Sequence, residues 1–210
     1  QPFFQEVLKK KDGIWLSKTW ETSQLNKDEL DKIARRIQKL EPLRKYLNPE
    51  IAIFEDGTKI TLEQKYIDTF KPINEEANLS SISQIKSFLK LIHHNDLIHG
   101  DLCFSNLGLD KNGKLLIFDW ELLLSHIKNK SLVLRSSYLA CHPSDVSNKS
   151  LTKKSDLFAF ANLIPQILLE RYEGVKFSDK NQAKIAKICI TTSNIDAIQN
   201  KVLDLLSSKL

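Results

Sequence analysis

The chain has 210 residues, 41% of them hydrophobic and 27% charged, which is the composition of a folded globular protein with room for one large domain or two small lobes. No apolar run approaches the roughly 20 residues that span a bilayer, and the opening Gln-Pro-Phe-Phe-Gln has no basic region feeding an apolar stretch, so neither a membrane span nor a signal peptide is expected. The net charge of +5 favours acidic partners weakly, peripheral contact with anionic surfaces included, but Lys9-Lys10-Lys11 and Lys153-Lys154 are short clusters without interleaved aromatics; they read as solvated faces, and no nucleic-acid partner is expected.

In chain order, residues 3–20 alternate around the turn signal Lys-Asp-Gly at 11–13 and predict a hairpin of two strands, Phe3–Leu8 and Ile14–Trp20. Leu30, Ile33, Ile37 and Leu40 recur at helical spacing and predict an amphipathic helix over 26–40, ending near Pro42. Ile51–Phe54 and Lys59–Tyr66 flank Asp56-Gly57 and predict a second hairpin. Lys71-Pro72 and the polar run Asn74–Ser81 read as a connection. Beyond it, Ile82, Ile85, Phe88, Leu89 and Ile92 line one side of a helix over 82–94.

Leu97–Asn106 is irregular and polar, and leads to a strand-like Leu107–Leu109, a turn at Asp110-Lys-Asn-Gly113 and a strand Leu115–Asp119. An apolar helix is expected over 155–170 and one or two more over 181–209. A strand-rich first third and a helix-rich remainder give an α+β class in two lobes, 1–70 and 71–210. Cys103, Cys141 and Cys189 are widely spaced and odd in number, which predicts no disulfide framework and a reducing, cytoplasmic setting.

The chemistry concentrates in Leu97-Ile-His-Gly-Asp-Leu-Cys-Phe-Ser-Asn106 and Lys114-Leu-Leu-Ile-Phe-Asp-Trp-Glu121. An Asp, an Asn five residues on, and a second Asp closing an apolar strand are residue types that phosphoryl transfer uses. It needs a carboxylate to orient the attacking hydroxyl, and oxygen ligands for Mg²⁺ on the phosphates. Asp101 is expected to orient or deprotonate the acceptor hydroxyl, and Asn106 and Asp119 to ligate the metal. The bland reading makes Asp101 and Asn106 turn formers and Asp119 a strand end, and leaves the arrangement to coincidence.

These residues resemble the protein-kinase-like superfamily. Its catalytic loop reads His-x-Asp-x-x-x-x-Asn, met by His99, Asp101 and Asn106, and its metal-binding Asp closes a strand after a hairpin turn, met by Asp119, 18 residues beyond Asp101. Phe88 to His99 is similar to the helix running into that loop, Ser136 to Pro143 to the end of an activation segment, and Lys154 to Ile164 to the helix that follows. The resemblance implies a two-lobed fold with a small sheet-plus-helix first lobe and a reduced helical second lobe. It implies ATP and Mg²⁺ as cofactors, His99 as a loop-orienting residue and Asp156 as a hydrogen-bonding support for the loop backbone. Upstream, Lys18 matches the strand lysine that holds the α- and β-phosphates, with Glu41 or Glu29 as its helix partner.

The departures bear on the acceptor. The six glycines assemble no glycine-rich loop, which in the family would precede Phe3. Gly100 replaces the arginine that many protein kinases aim at an activation-loop phosphate, Cys103 replaces a common lysine, and Trp120-Glu121 replaces Phe-Gly. The activation-segment-like stretch favours a protein Ser/Thr acceptor. The departures favour a small-molecule hydroxyl on a sugar, a lipopolysaccharide core, an aminoglycoside or choline. A pseudokinase scaffold is the third reading. His93, His94, His99 and Cys103 carry no paired spacing of a closed zinc site.

Overall fold

In the computed structural model the described residues are 4–21, 39, 41–46, 51–56, 58–65, 75–110, 112–118, 143–148, 151–169 and 179–207. Asp119, most of the helix expected over 26–40, and residues 131–142 of the activation-segment-like stretch lie outside them. Among the described residues the chain is mixed α+β, with a four-stranded sheet, a two-stranded sheet and five helices.

The first hairpin pairs β1 (Phe4–Lys10) with β2 (Gly13–Glu21), and the second pairs β3 (Ile51–Glu55) with β4 (Lys59–Lys65), both antiparallel. β2 also pairs with β4, so the sheet order is β1-β2-β4-β3. The turns explain themselves. Gly13 sits at φ +136°, a conformation that side-chain-bearing residues rarely adopt. Asp56 folds the second turn by accepting at Oδ1 from Thr58 N at 2.9 Å, Thr58 Oγ1 at 2.9 Å and Lys59 N at 2.7 Å. Those bonds, the Thr58 amide foremost, hold its carboxyl below the usual aspartate range.

Between the hairpins, Lys39 is helical, and the chain then forms a 3₁₀ turn over Glu41–Tyr46. Pro42 is the second residue of that turn, where a missing N–H costs little. The period of three brings Leu43 and Tyr46 to one side, both buried, and Tyr46 packs edge-on against Phe88 at 5.6 Å between ring centres.

Helix α1 (Glu75–His94) is longer than expected. The polar run that reads as a connection is its first two turns. Asn78 and Ser81 are buried there, and Ser81 Oγ donates back to Ala77 O at 2.9 Å, so a polar residue occupies an interior helical position with its hydroxyl satisfied. The expected apolar side is the core side, with Ile82, Ile85, Phe88, Leu89 and Ile92 all fully buried.

Strands β5 (Leu107–Leu109) and β6 (Leu115–Ile117) pair antiparallel across the Asp110–Gly113 turn. Asp110 Oδ1 accepts from Asn112 N and Lys114 N at 2.8 and 2.9 Å, and Gly113 supplies φ +74°. Gln84 of α1 ties this hairpin to the helix by accepting from Leu115 N at 3.0 Å. A short helix α2 (Pro143–Asn148) then precedes α3 (Lys153–Leu168), which starts on the Thr152 cap and is buried almost all round from Ser155 to Pro165. Helices α4 (Asp179–Thr191) and α5 (Ile195–Ser207) pack on α3 through Ile185, Cys189, Ile198 and Val202. Among the described residues no helix is long and apolar enough to cross a membrane.

Candidate active site

The loop that carries Asp101 is set by how α1 ends. Asn95 Nδ2 donates to Leu91 O at 2.9 Å, Asp96 takes a left-handed φ of 54°, and Leu97 N donates to Ile92 O at 2.9 Å. The chain reverses there and drives Leu97 and His99 into the core.

One carboxylate holds the next segment. Asp156, in the first turn of α3, is 1% exposed and accepts three hydrogen bonds. Its Oδ2 takes His99 N at 2.9 Å and His93 Nε2 at 2.9 Å, and its Oδ1 takes Gly100 N at 2.9 Å. Two consecutive backbone amides and one imidazole thus satisfy a buried charge, which also sits at the positive end of α3. Gly100 turns at φ +80°, so a glycine fits where a side chain would be strained.

His99 is fully buried and works from both ring nitrogens. Nδ1 accepts from Asp101 N at 3.3 Å, which places the proton on Nε2, and Nε2 donates to Phe118 O at 2.8 Å. Asn106, 7% exposed, donates through Nδ2 to Asp101 O at 2.8 Å, while its own carbonyl accepts from Phe118 N at 2.8 Å. Both main-chain ends of Asp101 are therefore held, and both polar main-chain atoms of Phe118 are held by His99 and Asn106. The structure brings together His99, Asp101, Asn106, Asp156 and the residue that precedes Asp119.

One described side chain of this arrangement offers an oxygen of the kind a hard cation takes. With Nδ2 committed to Asp101 O, Asn106 keeps its amide oxygen as an acceptor, the donor type Mg²⁺ takes. Among the described residues no group of three His, Cys, Asp or Glu side chains converges on a metal position. Two of the three histidines considered for zinc are used elsewhere, His93 on Asp156 and His99 on Phe118.

Lys18 lies on β2 and is 6% exposed, opposite Leu62 of β4. Gln64, two residues along β4, shares that face of the sheet and is also buried; its Oε1 has no hydrogen-bond partner. Glu41, expected as a helix partner of Lys18, sits in the 3₁₀ turn with 71% of its side chain exposed and pairs with Arg44 at 2.8 Å, because three residues of 3₁₀ spacing bring those two together on the surface.

Two functional-looking residues had weak sequence signals. His93 is six residues before His99 in a helix tail, a spacing no local pattern flags. Asp145 is buried and accepts from Thr152 N, Thr152 Oγ1 and Ser155 Oγ at 2.9, 2.7 and 2.8 Å, bracing the start of α3. His93, Asp145, Lys90, Lys153 and Lys154 also line an open cleft of about 770 Å³.

No protein-family model matches the chain. Among curated proteins, it is 30% identical over 140 residues to NUAK family SNF1-like kinase 2 of Homo sapiens and of Pongo abelii, covering 60% of this chain and 22% of each relative. It is 25% identical over 125 residues to dual specificity protein kinase zak2 of Dictyostelium discoideum, covering 54% of this chain and 20% of that one. The chain spans about a fifth of the length of these relatives. The relationship to protein kinases is distant and partial.

Proposed function

We propose that the chain is an ATP- and Mg²⁺-dependent phosphotransferase that phosphorylates a hydroxyl, with a protein serine or threonine as the acceptor. The four-stranded sheet is read as the nucleotide-covering lobe, with a boundary near residue 70, and the helical remainder as the catalytic lobe. The single observation that carries this reading is the lock on Asp101 and Asn106: the Asn106 amide on the Asp101 carbonyl, and both residues tied through Phe118 and His99 to Asp156. A turn built only for local hydrogen bonding would have no use for a buried carboxylate imported from another helix.

Each residue then has a defined task. Asp101 presents its carboxylate from a peptide fixed at both ends, and so orients the acceptor hydroxyl and receives its proton. Asn106 and Asp119 would hold Mg²⁺, which neutralises the charge on the phosphates. Lys18 holds the α- and β-phosphates from the buried face of β2, where the unsatisfied Gln64 Oε1 offers an acceptor to a ligand donor. The distant likeness to NUAK family SNF1-like kinase 2 and to zak2 supports a protein acceptor.

Two observations favour rivals. Gly100, at φ +80°, presents no guanidinium toward a phosphorylated loop, which suits a small-molecule acceptor. Glu41 pairs with Arg44 on the surface, an arrangement that suits a nucleotide-binding scaffold. Incubation with radiolabelled ATP and Mg²⁺, alone and with protein, sugar and aminoglycoside acceptors, separates the three. Label on protein serine or threonine supports the proposal; label only on a small molecule, or none, replaces it.

A further inference from the structure

Several helix lysines in this chain are neutralised. Lys86 and Lys90 share Asp196 at 3.1 and 2.7 Å, and Lys153 takes Asp96 at 2.8 Å. A groove of about 480 Å³ between α4 and α5 differs. Lys184 and Lys187 project from α4 and Lys201 from α5, and among the described residues none of the three has a carboxylate within 4.0 Å. Among the described residues Asp204 is the one acid on the lining, and it does not pair with Lys201 although the two are three residues apart on one helix. Lys184 and Lys187 are themselves neighbours at that spacing, so like charges are held together. Ile188 and Leu205, both half-buried, contribute apolar surface between the lysines.

We propose that this groove docks an acidic peptide segment of a protein partner, its carboxylates meeting Lys184, Lys187 and Lys201 and an aliphatic side chain seating on Ile188 and Leu205. The mixed lining decides the class. A peptide presents carboxylates and an aliphatic side chain together, whereas a single-stranded nucleic acid binds best where aromatic rings offer stacking, and none lines the groove among the described residues. The hydrogen bonds described above around Asp101 come from α1, α3 and the loop itself and not from α4 or α5, so the proposal stands whether or not the chain transfers phosphate.

The test titrates the whole chain into fluorescein-labelled peptides and reads anisotropy at low salt. One peptide alternates glutamate and leucine; the other is polyglutamate of equal charge. The expected result is saturable binding of the Glu-Leu peptide, weakened about tenfold or more by K184E/K187E/K201E, since three exposed charge contacts are removed and reversed. Lys184→Gln with Lys187→Gln, both on exposed positions, should show the same direction with unchanged circular dichroism. Ile188→Ser should weaken the Glu-Leu peptide several-fold more than polyglutamate, and added salt should weaken both. The proposal is overturned if the lysine variants bind normally or the two peptides bind equally. It is also overturned if phosphatidylserine vesicles or a single-stranded oligonucleotide compete for the same lysines more tightly than the Glu-Leu peptide.

Discussion

Asn106 Nδ2 donates to the main-chain carbonyl of Asp101 at 2.8 Å, so the proposed metal ligand is also the brace of the proposed catalytic carboxylate. The two roles separate by mutation. Asn106→Asp keeps an oxygen ligand but sets a carboxylate against a carbonyl, leaving a part-buried acceptor unsatisfied. It should destabilise the fold by about 1–3 kcal/mol in urea titration. A variant as stable as wild type would show that the bond does not hold the loop.

Asp156 carries more. Asp156→Ala strands the buried His99 and Gly100 amides together with the His93 ring. The loss should be roughly 3–5 kcal/mol, in the range for removing one partner of a buried charged cluster. At about 2–4 °C per kcal/mol for a chain of this size, a melting point lowered by on the order of 10 °C is expected in thermal denaturation. His93→Ala removes one of the three donors and should cost clearly less. Equal costs would mean that the two backbone amides find other acceptors.

Lys18 and Glu41 should behave in opposite ways. Lys18→Met should weaken Mg·ATP binding in calorimetry, about tenfold or more, as the buried cation proposed to hold the phosphates is lost. Glu41→Gln removes an exposed pair with Arg44, worth roughly 0–1 kcal/mol, and should leave both stability and ATP affinity within about twofold. A collapse of ATP affinity in Glu41→Gln would restore it as the lysine's partner.

Cys189 gives a pH signature. Burial pushes its thiol up to about 12 from an ordinary 9.0. Because the folded value lies above the unfolded one, its contribution to stability is complete below about pH 9 and is lost as pH rises toward 12. The stability gap between wild type and Cys189→Ala should therefore narrow across that window in denaturant titrations. Alkylation at pH 8 with peptide mapping should label the part-exposed Cys103 and spare Cys189 until the chain unfolds. Early labelling of Cys189 would contradict its burial.

The sequence made the hairpins, the core face of α1, and the order of His99, Asp101 and Asn106 legible, because each rests on local chemistry: Asp-Gly or Asn-Gly turns, apolar spacing and residue type. What it hid is long-range. The first turns of α1 look like a linker because Asn78 and Ser81 are polar, and only their burial and the Ser81–Ala77 bond show them to be helix interior. The Glu41–Arg44 pair is equally hidden, because the helical spacing read up to Leu40 gives way to a 3₁₀ turn from Glu41 onward. The join of His93 to Asp156 spans 63 residues, and no periodicity reports such a contact.

The most direct measurement is a steady-state comparison of wild type with Asp101→Asn, following phosphoryl transfer or ATP hydrolysis. Asparagine keeps the size of the side chain and both main-chain bonds but cannot take up the hydroxyl proton. Positioning and proton acceptance act mainly in the transition state, where such groups contribute typically about 10²–10⁴-fold. The account predicts a fall in kcat on the order of 10²-fold or more, with KM for ATP nearly unchanged. Near-normal kcat with ATP binding lost would contradict the assignment of Asp101.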